Sequence, residues 1–356
     1  MAVMGMLAVA AVAVVGVLIH GTSSLGVVGV ELLGARTAFS SDGDNNGGGG
    51  GGVQPKTREG SSSVTGDEGG ERGRRTFRRW GMRNECARAL HEPTTYGPNE
   101  DFSGTLVGVL AYAEMTYVIC VSKCDMPVPS ALRGRVLMVH GAEMDACLRV
   151  TTAADHWRRV SLSHGAAVAH AEAHGFGTAA VLEEDTTSAP NPHPWEAEDW
   201  AAFNAGLLGR AGDWNVVRLG YRPVRHEGAT PRGCQEECAC EAVGRVLCYM
   251  RAAGCALHSS DAYVVRRRAF DAFLRGISQG AIIDYGLLQH IPNQLVVTPQ
   301  VNYQTKYAIS DYRNDVPAQL EAGSKFREAC MPASARKSSE RLWPARLLHF
   351  FRPAAT

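Results

Sequence analysis

Three consecutive acids, Glu183, Glu184 and Asp185, close the apolar run 178-TAAVLEED-185. Carboxylates held this close repel one another, and they relieve the repulsion by sharing protons or by gathering round a cation. Two acids one residue apart at a strand end can both reach a hard dication. Mn2+ or Mg2+ bound by one or two carboxylates often completes its shell with substrate phosphates. Such a metal neutralises a leaving diphosphate. The plainer reading of the same residues is a solvated acidic turn after a strand.

A second constellation lies just upstream, in 164-HGAAVAHAEAHG-175. His170 and His174 stand one helical turn apart with Glu172 between them. A zinc-protease helix has glutamate directly after the first histidine. Alanine follows His170 here, and Glu172 points about 200° away from it at 3.6 residues per turn. Histidines exposed on the helix or packed against a sheet are the simpler account. The arginines 266–268 could meet a diphosphate, although a solvated helix start explains them as well.

The elements that must position these groups alternate in type. Residues 104–120 are apolar and β-branched and read as one or two strands, and 134–143 as another. Residues 161–175 read as a helix, with Ser163 as its N-cap and Gly175 after its end. A strand over 178–185, a helix over 195–211 and a strand over 214–220 follow. Residues 236–254 read as helical, 261–267 as a strand, 268–278 as a helix and 294–300 as a last strand. Strands alternating with helices imply an α/β layer fold with a mostly parallel central sheet. Ligands in such sheets bind outside the carboxyl ends of the strands, where 183–185 fall.

The order of these motifs carries a resemblance. Ser163-His164, an alanine-rich helix, VLEED, Trp195, 213-DWNVVRLG-220, 261-DAYVVRRRAF-270 and 282-IID-284 succeed one another. This resembles glycosyltransferase family 25, the lipopolysaccharide and procollagen galactosyltransferase type, over roughly 105–315. The resemblance implies a GT-A-like nucleotide-binding domain. It implies Asp185 as principal metal ligand, with Glu183 second and Glu184 in the middle place, where the family has aspartate. It places Asp284, or Asp261, as the general base of an inverting displacement, capping of the next helix being the plainer role of Asp284. It places His164, Gln304, Ser310 and Asp311 on the donor side. The family's opening paired arginines have only Lys123 and Arg133 or Arg135 in their place.

The chain's ends differ from this middle. Residues 2–19 carry no charge, and eighteen helical residues span about 27 Å, close to a bilayer's hydrocarbon thickness. They read as a signal-anchor or a cleaved signal peptide, residues 1–20 in all. Residues 21–101, with the glycine run 47–52, read as a flexible stalk, 102–315 as the catalytic domain and 316–356 as a peripheral tail. The run 47–52 follows no strand and lacks Lys-Ser/Thr, so it is no phosphate loop. This organisation implies a single-pass protein of the Golgi or endoplasmic reticulum, or a secreted one.

Of the ten cysteines, Cys234, Cys238, Cys240, Cys248 and Cys255 crowd together. Their spacing fits paired zinc hooks poorly, and disulfides are the favoured reading. With 36 acids and 36 bases there is no net field toward nucleic acid. The expected activity is metal-dependent transfer of a hexose from a nucleotide sugar to a glycan or glycoprotein. The alternatives are a transferase-like binding protein without turnover and a metal-dependent phosphoesterase.

Overall fold

The structure, a computed structural model, describes residues 74–147, 156–188, 194–210, 213–223, 241–243, 246–250, 257–298, 300–305 and 319. All of them fall in the unit Ser61–Thr356, the second of the two into which the chain divides. The helices are α1 (74–79), α2 (Gly104–Leu110), α3 (His156–His174), α4 (Ala197–Gly209) and α5 (Arg267–Ser278). The strands of the main sheet are β1 (Leu90–His91), β2 (Met115–Cys120), β3 (Val136–His140), β4 (Thr178–Glu183), β6 (Val216–Arg218), β8 (Glu241–Val243), β9 (Leu247–Met250), β11 (Ala262–Arg266) and β12 (Gln294–Val297). Two small pairs stand apart from it: β5 (Thr186–Thr187) with β13 (Tyr303–Gln304), and β7 (Arg222–Pro223) with β10 (Leu257–His258).

The main sheet runs β1-β3-β2-β4-β11-β6-β12-β9-β8. Strands β2, β3 and β4 pair in parallel, as do β6 and β12. Strand β11 lies antiparallel between β4 and β6, so all five of those strands point one way. Strands β1, β9 and β8 add further antiparallel pairs. The sheet is therefore mixed, and the expected mostly parallel sheet is corrected. A parallel neighbour needs a crossover that returns the chain to the same end, usually a helix. The helix expected over 236–254 would have been that crossover. Its described residues form β8 and β9 instead, and β11 is entered from the carboxyl end of the sheet.

Alternation along the strands builds two cores. Tyr117, Ile119, Ala179, Val181, Tyr263 and Val265 face α3 and α5. Val118, Ala180, Leu182, Ala262 and Val264 face α2 and α4. Helix α5 turns Phe270, Phe273, Leu274 and Ile277 inward and leaves its arginines outside. Phe273 is wholly buried and lies 6.0 Å from the Tyr263 ring. Phe273→Ala is expected to lower stability by about 3–5 kcal/mol, read from the urea midpoint at unchanged m-value.

Three other expectations differ from the structure. Residues 104–110 form a helix, because Ser103 Oγ accepts from Leu106 N at 3.2 Å and caps a segment whose β-branched residues suggested a strand. Ser163 does not cap α3. The helix is already under way at His156, and Ser163 Oγ donates back to Arg159 O at 3.0 Å. The folded body begins before residue 102, since Phe77, Trp80, Met82, Cys86 and Ala89 belong to the α3/α5 core.

Membrane attachment through an N-terminal helix, and the Golgi or endoplasmic-reticulum placement that rested on it, are corrected too. Among the described residues no helix is long and apolar enough to cross a membrane. The longest of these, the 19-residue α3, carries Arg158, Arg159 and four histidines. Residues 2–19 lie outside the described residues.

Candidate functional site

The site begins with the alternation of β4. Ala179 and Val181 face α3, so Glu183, two residues on, continues onto the same face. There it meets His164 from the middle of α3, with His164 Nε2 at 3.0 Å from Glu183 Oε1. His164 is wholly buried, and its Nδ1 lies 2.9 Å from the Tyr263 hydroxyl. Burial pushes the His164 pKa down to about 4, against the opposing pull of Asp284 and Asp261. The imidazole is therefore neutral near pH 7 and has one N–H. Giving that proton to Nε2 lets it donate to Glu183 while Nδ1 accepts from Tyr263. Burial, then the nearby Glu183, hold the Tyr263 hydroxyl protonated by raising its pKa well above the ordinary value.

Asp284 reaches the same place from the turn Ile283–Leu287. Ser161 on α3 fixes that turn by accepting from Ile283 N at 3.1 Å. Ser260 joins the two acids. Its hydroxyl lies 2.6 Å from Glu183 Oε1 and 2.6 Å from Asp284 Oδ1, and its amide donates to Asp284 Oδ1 at 2.9 Å. A serine has one hydroxyl hydrogen, so it donates to one of these carboxylates at a time. Asp261 is 1% exposed and sits across from Glu183, whose amide donates to Asp261 O at 3.0 Å.

The loop that carries Ser260 is held under strain. Ser259 has φ +85°, a region that favours glycine. The fully buried Arg218 clamps it, donating through Nη2 to His258 O at 3.0 Å and to Ser259 O. Backbone held off its preferred conformation by a buried clamp clusters at functional sites.

The three adjacent acids do not converge. Glu183 takes the partners just described. Glu184 turns to the end of β2 and accepts from Ser122 N at 2.9 Å, Ser122 Oγ at 2.9 Å and Lys123 N at 2.6 Å. Asp185 accepts from Gln304 Nε2 at 2.9 Å, and its carbonyl accepts from Thr305 N at 2.7 Å. Their mutual repulsion is thus met by three separate sets of donors. Of the residues singled out from sequence, the structure brings together Glu183, Asp284, His164 and Asp261, and separately Asp185 and Gln304. Ser310 and Asp311 lie outside the described residues.

Other residues resolve into structural roles. His170 and His174 stack at 4.1 Å, and His170 Nδ1 meets the Tyr117 hydroxyl at 2.8 Å. Glu172 points elsewhere and accepts from Trp80 Nε1 at 2.7 Å, so no protease-like set exists there. Arg133 lies over the Tyr96 ring, and Arg135 Nη1 donates to Ala111 O at 3.3 Å. Cys120 and Cys124 form a disulfide, and Cys86 and Cys248 each take part in a disulfide of their own. The cysteines 234, 238, 240 and 255 lie outside the described residues. Sequence reasoning missed Ser260 and Arg218. Ser260 precedes Asp261 in 259-SSDAY-263, but only the bend at Ser259 turns it toward two acids.

A cavity of about 10 Å³ lies beside Glu183, lined in part by Asp101, Leu106, Thr186 and Asn302, and is large enough for about one water. A groove of about 420 Å³ opens at the amino end of β4, between Tyr112, Phe203, Leu208, Trp214 and Arg266, and is lined mainly by apolar side chains.

No family model matches the chain, and no curated protein matches it. Among solved structures it is similar to one titled "Crystal Structure of A197 from STIV", at 13% identity and a TM-score of 0.26, covering 56% of this chain and 97% of that one. A likeness at that TM-score does not bear on what this chain does.

Proposed function

We propose that the chain is a glycosyltransferase that moves a hexose, galactose being one candidate, from a nucleoside diphosphate sugar to a hydroxyl of a glycan or a hydroxylated side chain. The observation that carries this reading is the setting of Asp284. It is half-buried at the carboxyl end of the sheet, its Oδ1 is fixed by Ser260, and its Oδ2 accepts no hydrogen bond from the described residues. A carboxylate oriented through one oxygen and open at the other can take the acceptor's hydroxyl proton in an inverting displacement. Asp261 is too deeply buried to meet an acceptor, which leaves the base to Asp284. Five strands pointing one way, helices on both faces and acids at the carboxyl ends support a GT-A-like domain.

Glu184 does not fit a metal site, because both its oxygens are engaged by the 122–123 amides. A dication that arrives with the donor's diphosphate needs only one or two protein carboxylates. The carboxylate of Asp185, held by Gln304 Nε2 at 2.9 Å, suits Mn2+ or Mg2+ as an oxygen ligand, while Glu183 faces His164 and Ser260. When bound, such an ion neutralises charge on the leaving diphosphate. Asp185→Asn is expected to lower donor turnover by about 10²-fold and to weaken its dependence on Mn2+, with circular dichroism unchanged. Full activity in that variant overturns the assignment.

Each acid already has hydrogen-bond partners inside the protein, and this favours a second reading: a transferase-like domain that binds glycans without turnover. Donor hydrolysis and transfer assays over a panel of nucleotide sugars, with and without Mn2+, separate the two. Glycan binding without turnover supports the second reading, and hydrolysis of simple phosphate esters sinks both.

A further inference from the structure

A separate group of ligating atoms stands at the edge of the sheet, on β1 and β3. His91 ends β1 and pairs with Met138, so His140, two residues further along β3, is its diagonal neighbour on the same face. The two imidazole rings lie 4.3 Å apart. Residues Gly141–Cys147 continue β3 as a 3-10 turn, in which side chains three apart eclipse one another. That turn sets Glu143 over His140. Glu143 Oε2 is 3.0 Å from His91 Nε2, and Glu143 Oε1 is 3.4 Å from His140 Nδ1. One ligand atom from each of the three lies within 4.8 Å of the others.

We propose that His91, His140 and Glu143 bind one Zn2+ ion. Ligands at the usual zinc bond lengths of a tetrahedral site stand about 3.3 Å apart, and each imidazole lies near that distance from its own oxygen of Glu143. Two imidazoles and a carboxylate select a borderline transition metal over Mg2+. The side chains are 41%, 27% and 45% exposed, so the fourth position faces water. The ion ties the two-residue strand β1 to the body of the sheet across a single short pairing.

A competing ligand set shares His140. Its imidazole also lies within ligand range of the Cys120 and Cys124 sulphurs. Those sulphurs are joined in a disulfide and offer no thiolate. The site proposed is therefore that of the oxidised chain. Loop 121–124 also supplies the amides that hold Glu184, so this edge and Glu184 share one loop. The zinc site does not depend on the glycosyltransferase reading.

The test is titration of the full, disulfide-intact chain with Co2+, whose visible absorption reports tetrahedral coordination, followed by displacement with Zn2+ or Mg2+. The expected result is one ion per chain at micromolar affinity or tighter, displaced by Zn2+ and not by Mg2+. Affinity should fall about tenfold or more in His140→Ala and in Glu143→Gln. Glu143 is a surface residue, so Glu143→Gln decides the matter even where His140→Ala fails to fold. Asp284→Asn should leave the cobalt band untouched. Absence of a saturable band, a band unchanged in Glu143→Gln, or one that forms only after a dithiol reduces Cys120–Cys124 overturns the proposal.

Discussion

Asp284→Asn is expected to lower hexose transfer by about 10²–10⁴-fold while stability and donor affinity stay close to those of the parent chain. The amide keeps the shape of the carboxyl group and can keep the oxygen that accepts from the Ser260 amide at 2.9 Å. It cannot take a proton. Lost rate at unchanged donor affinity is the signature of a group that acts in the transition state and adds little to ground-state binding. Ser260→Ala should show a different pattern. It removes the hydroxyl 2.6 Å from both Glu183 and Asp284 and leaves two acids facing each other without the donor between them. Its loss of rate should be the smaller of the two, because Asp284 keeps both the carboxylate that takes the proton and the Ser260 amide at 2.9 Å. Transfer by Asp284→Asn at the parent rate, with every nucleotide sugar that the parent uses, would remove Asp284 from the mechanism.

The arrangement that makes Asp284 useful was only partly legible in the sequence. Strand β4 and its acidic end were plain, because a short apolar run closed by charge has few other solutions. The alternation that sends Glu183 toward α3 follows from the same pattern. What could not be read was where Glu184 and Asp185 would point, since the chain turns at both. Their directions come from contacts distant in sequence: the 122–123 amides for Glu184, and Gln304, 119 residues away, for Asp185. The expectation of three acids around one cation assumed that neighbours in sequence stay neighbours in space. The fold-level errors have the same origin. Residues 104–110 are β-branched enough for a strand, yet one serine cap and burial of Leu106, Val109 and Leu110 make them a helix. Residues 247–250 pair with β12, and 241–243 with 247–250, because an edge was open there, a tertiary fact that local pattern does not carry.

Stability should fall steeply as pH drops from 6.5 toward 4, and two buried histidines set the slope. Burial pushes His164 down to about 4, and burial together with the neighbouring His174 pushes His170 down to about 3. Both folded values lie below the unfolded value near 6.5, so in this window the unfolded chain binds protons that the folded chain refuses. The stability tied to the neutral rings is complete above pH 6.5 and is lost progressively below it. Each histidine contributes a loss of up to about 1.4 kcal/mol per pH unit until its folded pKa is reached. Together they remove several kcal/mol by pH 4, a large part of the about 5–15 kcal/mol that holds a typical domain. Most carboxylates titrate near or below the bottom of that range, so the upper part of the window isolates the histidines. Urea midpoints taken at intervals from pH 7.5 to pH 4.5 should hold level down to about pH 6.5 and fall below it. In His170→Gln, which keeps a polar partner for the Tyr117 hydroxyl and carries no titrating group, the fall should be about half as steep. A profile flat between pH 6.5 and 5, or one unchanged in that variant, would mean that these rings are wet or charged in the folded chain. A charged His164 would then donate from both ring nitrogens, and the hydrogen bond it accepts from Tyr263 at 2.9 Å would have to reverse, with the neutral phenol as acceptor.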